Sequence, residues 1–426
     1  MFIRIFAYEK NIIPLMTNIE HWLIQGDNLP VMQALLPAYK GLVDVIYIDP
    51  PYNTGHHTLT YNDQHADWVA MMRPRLQVAS ELLSNKGVIA ISIDQHELFT
   101  LGTLCNEVFG SDHCLGVITV VNNMKGRSDG RHFSVCNEFM LFYAVNPTKV
   151  NMNLIPLTEE EVDNEYLHND SKGAYKLTNF RKTGKEWQRE CRPTMYYPLL
   201  FSNGAFHTIT DNEYAHIYKN GKFNDKYVEQ LTQHYQEKGY TVFLPLDDKG
   251  RKGRWRWAFH DTYKKAFSTE LELNRAGTPC VKMRARLEDG SMRGKLSKTT
   301  WYKAEYDTGV ATRQVADILG KHAFNNPKAV EHIKDVLRLF APNALVLDFF
   351  AGSGTTLHAA LELNKEDGGT RRCILITNNE NGICEEITLP RCQRIIEGYQ
   401  RTNGTWVEGM KGNSLRYFPT YSQILK

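Results

Sequence analysis

Apolar and polar residues alternate along the first part of the chain in a pattern that predicts strands and helices in turn. Short apolar runs, rich in β-branched residues, end at Gly26-Asp27, at Asp49 and at Asp94. Such runs are typical of buried strands in a parallel sheet. The segments between them carry apolar residues at helical spacing, most clearly over residues 68–83. Two further runs, GVITVV and EFMLFYAV, predict an antiparallel pair of strands at the edge of the sheet.

The same alternation returns near the end of the chain, after a long irregular stretch. From Asn326 onward it predicts, in order, a helix, the strand ALVLDFF, a helix, the strand RCILIT and a last helix, the helices covering residues 328–340, 355–364 and 391–399. From about residue 151 the intervening sequence is turn-rich, aromatic and basic. The pattern therefore predicts an α/β fold in which both ends of the chain form one doubly wound sheet. The expected parts are an N-terminal extension (1–16), two parts of the sheet domain (17–150 and 321–426) and an insert (151–320).

Charge is distributed unevenly and points to the insert. The 426 residues contain 50 Lys and Arg against 48 Asp and Glu, a formal net charge of only +2. Residues 171–320, however, contain 27 Lys and Arg against 17 Asp and Glu, so this stretch carries +10 and the remainder −8. We expect the basic stretch to provide a surface for a polyanion.

Cysteine usage and hydropathy predict a cytoplasmic protein. Eight cysteines are scattered without a C-x-x-C pair, which argues against a structural zinc site or a disulfide framework. No apolar run is long enough to span a membrane. The first sixteen residues, MFIRIFAYEKNIIPLM, are interrupted by charges and lack a cleavage site. We interpret them as a surface extension or as a mis-assigned start before Met16.

The stretch DPPYNTG, residues 49–55, places unusual chemistry at the end of a predicted strand. Pro50 and Pro51 cannot donate to a strand ladder, so the strand must end at Asp49. A carboxylate, a rigid turn and the ring of Tyr52 then lie at the carboxyl end of the strand, where open α/β sheets bind ligands. The alternative for Asp49 is a simple role in forming the turn or capping a helix.

The stretch DFFAGSGTT, which follows the predicted strand ALVLD, forms a second corner. Gly352 and Gly354 allow a tight turn and a close approach of the backbone to a ligand. The stretch lacks the Lys-Ser/Thr of a P-loop, and Leu357 occupies the place of a third dinucleotide-binding glycine. A plain strand–helix turn is the alternative, but Asp348 before the corner and Glu380 after the next strand favour a site for ribose hydroxyls.

DPPY followed by the basic insert and then DFFAGSGTT resembles the amino-group DNA methyltransferases that use S-adenosylmethionine. This order of motifs resembles the β class, which includes the modification subunits of type III restriction systems. The stretches RHFSVCNEFMLFYA and TTWYKAEYDTG also resemble this class. The resemblance implies a circularly permuted, Rossmann-like methyltransferase fold in which the insert is a target-recognition domain.

The activity that this resemblance implies is methyl transfer from S-adenosylmethionine to N6 of a flipped adenine in double-stranded DNA, without a metal. One alternative is N4 of cytosine, although serine is more common there in place of Asp49. Another is RNA or a protein glutamine, for which asparagine before the prolines is usual. The resemblance also suggests a homodimer and a restriction subunit as partners, although the chain is short for a type III modification subunit.

The resemblance also implies roles for individual residues at both corners. The Asp49 carboxylate and the Pro50 carbonyl would accept hydrogen bonds from the adenine amine, while Pro51 stiffens the turn and Tyr52 stacks on the base. The implied cofactor-binding residues are Asp27, Asn28, Pro327, Lys328, Asp348, Phe349, Phe350, Ala351, Gly352, Ser353, Gly354, Thr355, Thr356 and Glu380. Asp27 is equally suited to cap a helix. Glu385 and Glu386 are alternatives to Glu380, and Ala329 replaces the second proline that often follows Lys328 in the family.

Basic residues in two stretches are candidates for contacting DNA. In RKGRWRW, alternation predicts a strand with its basic residues on one face and Trp255 and Trp257 in the core on the other. The second stretch, KGRSDGRHFS, predicts a loop near the flipped base, with an ordinary solvated loop as the alternative. The predicted DNA-binding residues are Lys125, Arg127, Arg131, Arg251, Lys252, Arg254 and Arg256.

Overall fold

The computed structural model describes residues 18–55, 63, 65–126, 132–157, 159–274, 279–286, 294–320 and 323–419, so the predicted extension 1–16 lies outside the described residues. The strands are β1 Ile19–Gln25, β2 Val43–Ile48, β3 Leu83–Ile93, β4 Cys114–Val121, β5 Asn137–Ala144, β6 His168–Asp170, β7 Gly173–Asn179, β8 Leu199–Ser202, β9 Ala205–Thr208, β10 Tyr218–Lys219, β11 Lys222–Phe223, β12 Thr241–Phe243, β13 Leu271–Asn274, β14 Cys280–Arg286, β15 Thr300–Tyr302, β16 Leu345–Asp348, β17 Arg372–Thr377, β18 Gly398–Gln400, β19 Trp406–Glu408 and β20 Asn413–Phe418. The α-helices are α1 Asn28–Tyr39, α2 Trp68–Leu82, α3 Leu98–Phe109, α4 Glu159–Glu165, α5 Asp211–Ala215, α6 Asp225–Glu237, α7 Asp261–Lys264, α8 Phe267–Glu270, α9 Thr308–Leu319, α10 Val330–Arg338, α11 Thr355–Asp367 and α12 Leu389–Glu397. A π-helical turn, Ile383–Thr388, precedes α12. In the part of the chain covered by these ranges, none of the helices combines the length and the apolar character that a membrane crossing requires.

The chain divides into two compact units. The first contains Met1–Ile155 and Lys295–Lys426, and the second contains Pro156–Gly294. These boundaries differ from the predicted insert of residues 151–320, because β15 pairs with β4 in the large sheet of the first unit. The irregular sequence around β15 hides this strand, which is only three residues long.

The first unit contains a nine-stranded sheet in the order β15-β4-β5-β3-β2-β16-β17-β1-β20. Six neighbouring strands, from β3 to β20, are parallel. β5 is antiparallel to both β3 and β4. The predicted antiparallel pair is therefore confirmed, but its predicted position at the edge is wrong, since β15 covers β4.

The direction in which successive strands are added to the sheet reverses between β2 and β16. From β2 the chain passes through α2 to β3 on one side, and from β16 it passes through α11 to β17 on the other. Such a switch in strand order opens a crevice at the carboxyl ends of the two strands. The ends of β2 and β16 carry the DPPY and DFFAGSGTT stretches.

Both faces of the sheet are buried, and each is covered by helices from a different part of the chain. Ile46 and Ile48 pack with residues of α1, α2 and α3. Val45 and Tyr47, which point to the opposite face, pack with residues of α10, α11 and α12. The N-terminal part of the chain thus supplies the helices on one face of the sheet, and the C-terminal part supplies those on the other. The predicted α/β fold, with one sheet built from both ends of the chain, is confirmed.

The second unit is built from small antiparallel sheets around aromatic side chains. Its sheets have the orders β13-β14-β7-β6, β12-β8-β9 and β10-β11. Phe180, Tyr197, Trp255 and Phe267 lie in its core. The predicted strand in RKGRWRW is wrong, because residues 251–257 form only isolated bridges to neighbouring segments. Trp255 is nevertheless buried, as expected.

Candidate active site

A cavity of about 350 Å³ lies at the crevice between the ends of β2 and β16. Its volume is within the range of cofactor and small-ligand sites. It is lined by Gly26, Asp27, Asn28, Tyr47, Asp49, Pro51, His65, Met71, Arg75, Phe324, Asn326, Lys328, Asp348, Phe349, Phe350, Ala351, Gly352, Ser353, Thr355, Thr356, Thr377, Asn378, Glu380 and Ile383. Most of the predicted catalytic and cofactor-binding residues are thus brought together. Pro50, Tyr52, Gly354 and Pro327 are not among the lining residues, although each is next to one in the sequence.

The DPPY turn is held rigidly on its outer side. The indole N–H of Trp68 donates to the carbonyl oxygen of Pro51 at 2.8 Å. Asn53 adopts a left-handed conformation (φ 60°), and its backbone N–H donates to the buried carboxylate of Asp63 at 3.0 Å. The hydrogen bonds among the described residues include none to the carbonyl oxygen of Pro50. The turn therefore leaves the carbonyl oxygen of Pro50 available for a ligand.

A cluster of charged and aromatic side chains surrounds Asp49. The Lys328 ammonium lies 3.1 Å from Asp49 Oδ1 and 3.0 Å from Glu138 Oε2. It also donates to the Tyr52 hydroxyl at 2.6 Å and lies 4.7 Å from the centre of the Tyr52 ring. The Tyr52 hydroxyl donates in turn to Glu138 Oε2 at 3.1 Å. Residues from three distant parts of the sequence thus form one network, which we call the Lys328 cluster (Asp49, Tyr52, Glu138 and Lys328).

Burial and charge shift the pKa values in the Lys328 cluster in different directions. Burial raises the pKa of the Asp49 carboxyl; the nearby Lys328 charge opposes the rise and the Glu138 charge adds to it. For Glu138, burial also acts to raise the pKa, but Lys328 and His332 outweigh it and the pKa is lowered. For Lys328, burial acts to lower the pKa, but the two carboxylates outweigh it and the pKa is raised. Lys328 and Glu138 are therefore a fixed ion pair, while Asp49 is the member that takes up a proton most readily.

The glycine corner, residues 349–356, is organised by hydrogen bonds rather than by ion pairs. Asp348 accepts from the Phe350 backbone N–H at 3.0 Å and from the Thr356 hydroxyl at 2.5 Å. Burial raises the pKa of Asp348 to about 7 despite these bonds. Gly352 and Gly354 have φ values of 50° and 78°, which explains why the turn requires glycine at these positions.

A buried arginine holds the glycine corner in place through hydrogen bonds. Arg391, on α12, is fully buried and donates to the Ser353 hydroxyl at 2.8 Å and to the Thr355 hydroxyl at 2.9 Å. Among the described residues it forms no ion pair with a carboxylate, and burial lowers its pKa to about 10. The Thr388 hydroxyl donates to the carbonyl oxygen of Gly352. These contacts fix the loop while leaving its inner side facing the cavity.

Asp27 and Asn28 connect the end of β1 to the same cavity. Asp27 caps α1 by accepting from the Leu29 N–H at 3.0 Å, and it also pairs with Arg75 at 3.1 Å. Asn28 donates to the carbonyl oxygen of Phe349 at 2.7 Å. Asp27 therefore caps α1, as expected, and it also lines the cavity, while its contact with the cofactor stays a prediction. Strand β1 is not a neighbour of the DPPY strand β2, since β16 and β17 lie between them.

Only some of the remaining candidates for cofactor binding line the cavity. Among the three candidate acids, Glu380 lines the cavity, whereas Glu385 and Glu386 do not. Lys328 lines the cavity, but its ammonium is directed to Asp49 and Glu138 rather than to the glycine corner. Pro327 precedes it and is not among the lining residues.

The predicted DNA-binding residues differ in their surroundings. Arg254 is buried and donates to the carbonyl oxygen of Glu186 at 2.6 Å, so its expected position on an exposed basic face is wrong. Arg251 and Lys252 are paired with Asp247 and Asp225. Arg256 and Lys125 are exposed. Arg127 and Arg131 lie outside the described residues.

Sequence reasoning missed Glu138 and Arg391, two buried residues that hold the two corners in place. Glu138 is a polar residue at the start of a predicted apolar strand. Arg391 begins an amphipathic helical stretch and would be taken for a surface residue. A charged residue on an otherwise apolar face is the signal that could have identified both, because charges are rarely buried without a partner.

Comparison with known proteins identifies the family to which the chain belongs. The family model for N6/N4 methyltransferases, described as DNA methylase, matches residues 43–388. The type II methyltransferase M.KpnI of Klebsiella pneumoniae is 32% identical over 383 residues, covering 87% of this chain and 83% of the relative. The type III restriction-modification enzyme EcoPI Mod subunit of Escherichia phage P1 is 32% identical over 403 residues. That alignment covers 85% of this chain but 58% of the relative, so the chain spans little more than half of that subunit's length.

Solved structures align over most of the chain at low similarity. The M1.HpyAVI–SAM complex matches with a TM-score of 0.39 and 11% identity, covering 87% of this chain and 98% of that chain. The cytosine-N4-specific PvuII DNA methyltransferase matches with a TM-score of 0.42 and 8% identity, covering 88% of each chain. TM-scores below 0.5 are too low to support a structural argument, so the family assignment rests on the sequence matches.

Proposed function

Because this chain belongs to the N6/N4 DNA methylase family, we propose that it transfers a methyl group from S-adenosylmethionine to N6 of a flipped adenine in double-stranded DNA. The observation that carries this proposal is the position of Asp49. Its Oδ1 is buried, lies beside Lys328 and has no partner with hydrogen-bond geometry among the described residues. A buried acceptor in this state that lines the cavity is suited to receive an N–H donor.

The chemistry requires acceptors more than it requires a strong base. The lone pair of an exocyclic amine is delocalised into the base, and hydrogen bonds accepted from its N–H groups make it available for attack. Asp49 and the carbonyl of Pro50 would provide these two acceptors, because Trp68 already occupies the carbonyl of Pro51. Preorganised acceptors of this kind provide electrostatic stabilisation without reorganisation during the reaction.

Within the Lys328 cluster, the Lys328 ammonium favours the ionised form of Asp49, which is the form that this chemistry needs. Burial favours the protonated carboxyl, which is a poorer acceptor, and the Lys328 ammonium opposes that effect. Glu138 holds Lys328 and the Tyr52 hydroxyl in place through direct contacts. Since Lys328 lies over one face of the Tyr52 ring, a flipped base would stack on the other face, with a gain of roughly 1–3 kcal/mol.

The cavity fits S-adenosylmethionine through the chemistry of its lining. When bound, this cofactor supplies a methyl group on a sulfonium centre, which is a good leaving group. The turn of Gly352 and Gly354 allows close approach of the backbone, and Glu380, which lines the cavity, would accept hydrogen bonds from ribose hydroxyls. Asp27, Asn28 and the remaining cavity residues of the glycine corner complete the proposed binding set, with Phe350 and Met71 providing apolar surface.

We assign the substrate as adenine because the carboxylate of Asp49, rather than a serine hydroxyl, leads the DPPY turn. A restriction subunit and a second copy of the chain are proposed partners. The name of the EcoPI Mod relative supports the first, since that protein is a subunit of a restriction-modification enzyme. Whether the partner is required is tested by assaying the isolated chain.

The experiment is a methyl-transfer assay with the full chain, duplex DNA and S-adenosylmethionine labelled in its methyl group. The modified DNA is digested to nucleosides and the labelled product is identified. We expect N6-methyladenine. Labelled N4-methylcytosine would keep the enzyme class but overturn the base assignment. If the cofactor binds, measured by calorimetry, but no label enters duplex DNA with or without a purified restriction subunit, the proposed function is wrong.

A further inference from the structure

We infer that His358, on α11, is a positioning residue for cofactor binding. It accepts a hydrogen bond from Arg391 and thereby directs this buried guanidinium to the hydroxyl groups of Ser353 and Thr355. The inference rests on the proposed function, because it concerns the glycine corner and the cofactor that we propose to bind there. His358 is not among the residues that line the cavity of the candidate active site, so it acts through Arg391.

The Arg391 guanidinium is held by contacts on two sides. On one side, Nη1 donates to the Ser353 hydroxyl at 2.8 Å, to the Ser353 carbonyl oxygen at 3.2 Å and to the Thr355 hydroxyl at 2.9 Å. On the other side, Nη2 donates to His358 Nδ1 at 3.3 Å. The third nitrogen, Nε, is buried and has no hydrogen-bond partner within the described part of the chain. The orientation of the guanidinium therefore depends on His358 as well as on the glycine corner.

Glu362 makes His358 an acceptor on the side that faces Arg391. His358 Nε2 lies 3.0 Å from Glu362 Oε1, one turn further along α11. A carboxylate can only accept, so Nε2 carries the hydrogen atom and Nδ1 of the neutral ring keeps its lone pair for Arg391. Burial lowers the pKa of His358 and the Arg391 charge adds to this effect, while the bond to Glu362 opposes it. The ring is therefore neutral at neutral pH.

The contact with Arg391 also determines what the two hydroxyls can offer to a ligand. Ser353 and Thr355 line the cavity, and their hydroxyl oxygens lie 3.2 Å apart, so that one donates to the other. Across the described ranges, these hydroxyls bond only to Arg391 and to each other. Because the guanidinium supplies donors to both oxygens, the hydrogen atom of the second hydroxyl is left for an acceptor atom of the cofactor.

The spacing along α11 provides a matched control for Glu362. His358, Glu362 and Glu366 are four residues apart, so they lie on one face of the helix. Both acids contact Lys334, with distances of 3.4 Å for Glu362 and a closer contact for Glu366. Glu366 also binds Arg338 at 2.9 Å, whereas His358 binds Glu362. A change at Glu366 therefore removes a similar charge without touching the imidazole.

The test measures the Kd of S-adenosylmethionine by calorimetry with the full chain. In His358→Leu the acceptor is lost, and we expect Kd to rise about tenfold, as for the loss of one hydrogen bond from a charged donor. In His358→Asn the amide oxygen lies close to the place of Nδ1 and can accept from Arg391. The Kd of this variant should therefore remain close to the wild-type value.

Glu362→Gln tests the hydrogen position on the imidazole. The ammonium of Lys334 attracts the amide oxygen, so the NH2 group faces His358 Nε2 and a hydrogen atom on Nδ1 then points at Arg391. We expect Kd to rise as in His358→Leu. The same change in the His358→Asn background should have no further effect, because an amide oxygen accepts without a choice of tautomer. Glu366→Gln should leave Kd unchanged.

Methyl-transfer kinetics separate positioning from general damage. In His358→Leu and Glu362→Gln the KM for the cofactor should rise, while kcat stays close to the wild type because the DPPY turn is intact. Urea unfolding identifies a destabilised variant. If His358→Leu is destabilised, Glu362→Gln decides the question, since its side chain is partly exposed.

Three results would overturn the inference. They are a wild-type Kd in a stably folded His358→Leu, an equal loss in His358→Asn, and an effect of Glu362→Gln that is the same in the wild-type and His358→Asn backgrounds. If the wild-type chain binds the cofactor but methylates no DNA, the proposed function fails, and the binding measurements still decide the role of His358. If the wild-type chain does not bind the cofactor, both proposals fail.

Discussion

The ends of β2 and β16 are adjacent, Asp49 follows β2 and Asp348 ends β16, and the two carboxylates are in different surroundings. Asp49 is beside the ammonium of Lys328 and close to a second carboxylate, Glu138. Asp348 forms no ion pair with a cation of the described residues and is satisfied by a backbone N–H and the hydroxyl of Thr356. The same side chain at the same strand end is thus held by charges in one case and by neutral donors in the other.

This difference indicates a division of work between the two corners. A charge cluster responds to pH and to the arrival of a donor, which suits the corner that we propose to recognise the substrate amine. The glycine corner is fixed by neutral hydrogen bonds and by the buried Arg391, which suits the corner that we propose to hold the cofactor. Variants at the two corners should therefore fail in different ways.

The largest expected effect is the loss of methyl transfer when Asp49 is changed to alanine. Removal of one preorganised transition-state contact typically costs 10²–10³-fold in rate, so we expect at least about a hundredfold loss in kcat. Cofactor affinity, measured by calorimetry, should remain close to the wild type. The control is Asp94→Ala, which removes a carboxylate after the neighbouring strand β3 that is bound to His96 and does not line the cavity. Retained methylation in Asp49→Ala would contradict the mechanism.

The next effect is expected at the glycine corner, from Gly354→Ala. An added Cβ would lie 2.9 Å from the sulfur of Cys392, and the residue has a φ of 78°. Left-handed strain and overpacking together should cost about 2–4 kcal/mol of unfolding free energy, with weakened cofactor binding. Gly368→Ala, at the other end of α11, has a similar φ of 67° and no atom within 4 Å of the added Cβ. Its cost should be only about 1–2 kcal/mol. Equal losses of unfolding free energy in Gly354→Ala and Gly368→Ala, measured with urea, would show that the crowding at Gly354 has no effect.

Smaller, opposite shifts are expected in the pH profile when the Lys328 cluster is altered. Activity should fall at low pH as Asp49 becomes protonated, at a pH above the ordinary carboxyl range because its pKa is raised. In Lys328→Gln the opposing cation is lost, so the acid limb of kcat should move to higher pH. In Glu138→Gln a repelling carboxylate is lost, so the limb should move to lower pH. Shifts in the same direction would mean that the two residues act only by supporting the structure.

The last expected effect concerns Asp348 and the pH dependence of stability. Its pKa is raised by burial to about 7, so the folded state binds more protons than the unfolded state between about pH 4 and pH 7. The stability that this proton provides is complete below pH 4 and is lost as the pH rises to 7, by at most about 1.4 kcal/mol per pH unit. In Asp348→Asn this loss disappears. The unfolding free energy of the variant, measured with urea, should therefore rise relative to that of the wild type between pH 5 and pH 8.

Asp367→Asn is the control for this measurement. Burial acts to raise the pKa of Asp367, but its hydrogen bonds and ion pair with Arg371 outweigh burial and lower it. Its contribution therefore changes only at more acidic pH. A constant difference between Asp348→Asn and the wild type from pH 5 to pH 8 would show that Asp348 does not titrate in this range.

The sequence predicted most elements of the first unit and the location of the cavity. Strand β17 occupies the predicted residues Arg372–Thr377, and β2 ends before Asp49 as the two prolines require. Helix α10 begins at Val330, two residues later than predicted, because Ala329 is extended after Pro327. Helix α12 ends before Gly398, which has a φ of 102°. These boundaries depend on backbone details that hydrophobic spacing does not reveal.

The sequence alone determined that two acid-ended strands and a glycine corner belong to one sheet, because strand periodicity, proline and glycine act over a few residues. Only the tertiary structure decided which charges meet. Glu138 and Lys328 are 190 residues apart yet bind each other, Arg254 is buried while Arg256 is exposed, and Lys282 meets Asn179 across two strands. Such pairings depend on strand order and on the shape of the core, and the free energy of each charge depends on burial and on its partner. Local sequence contains neither burial nor partner, so the cluster around Asp49 became visible only in the folded chain.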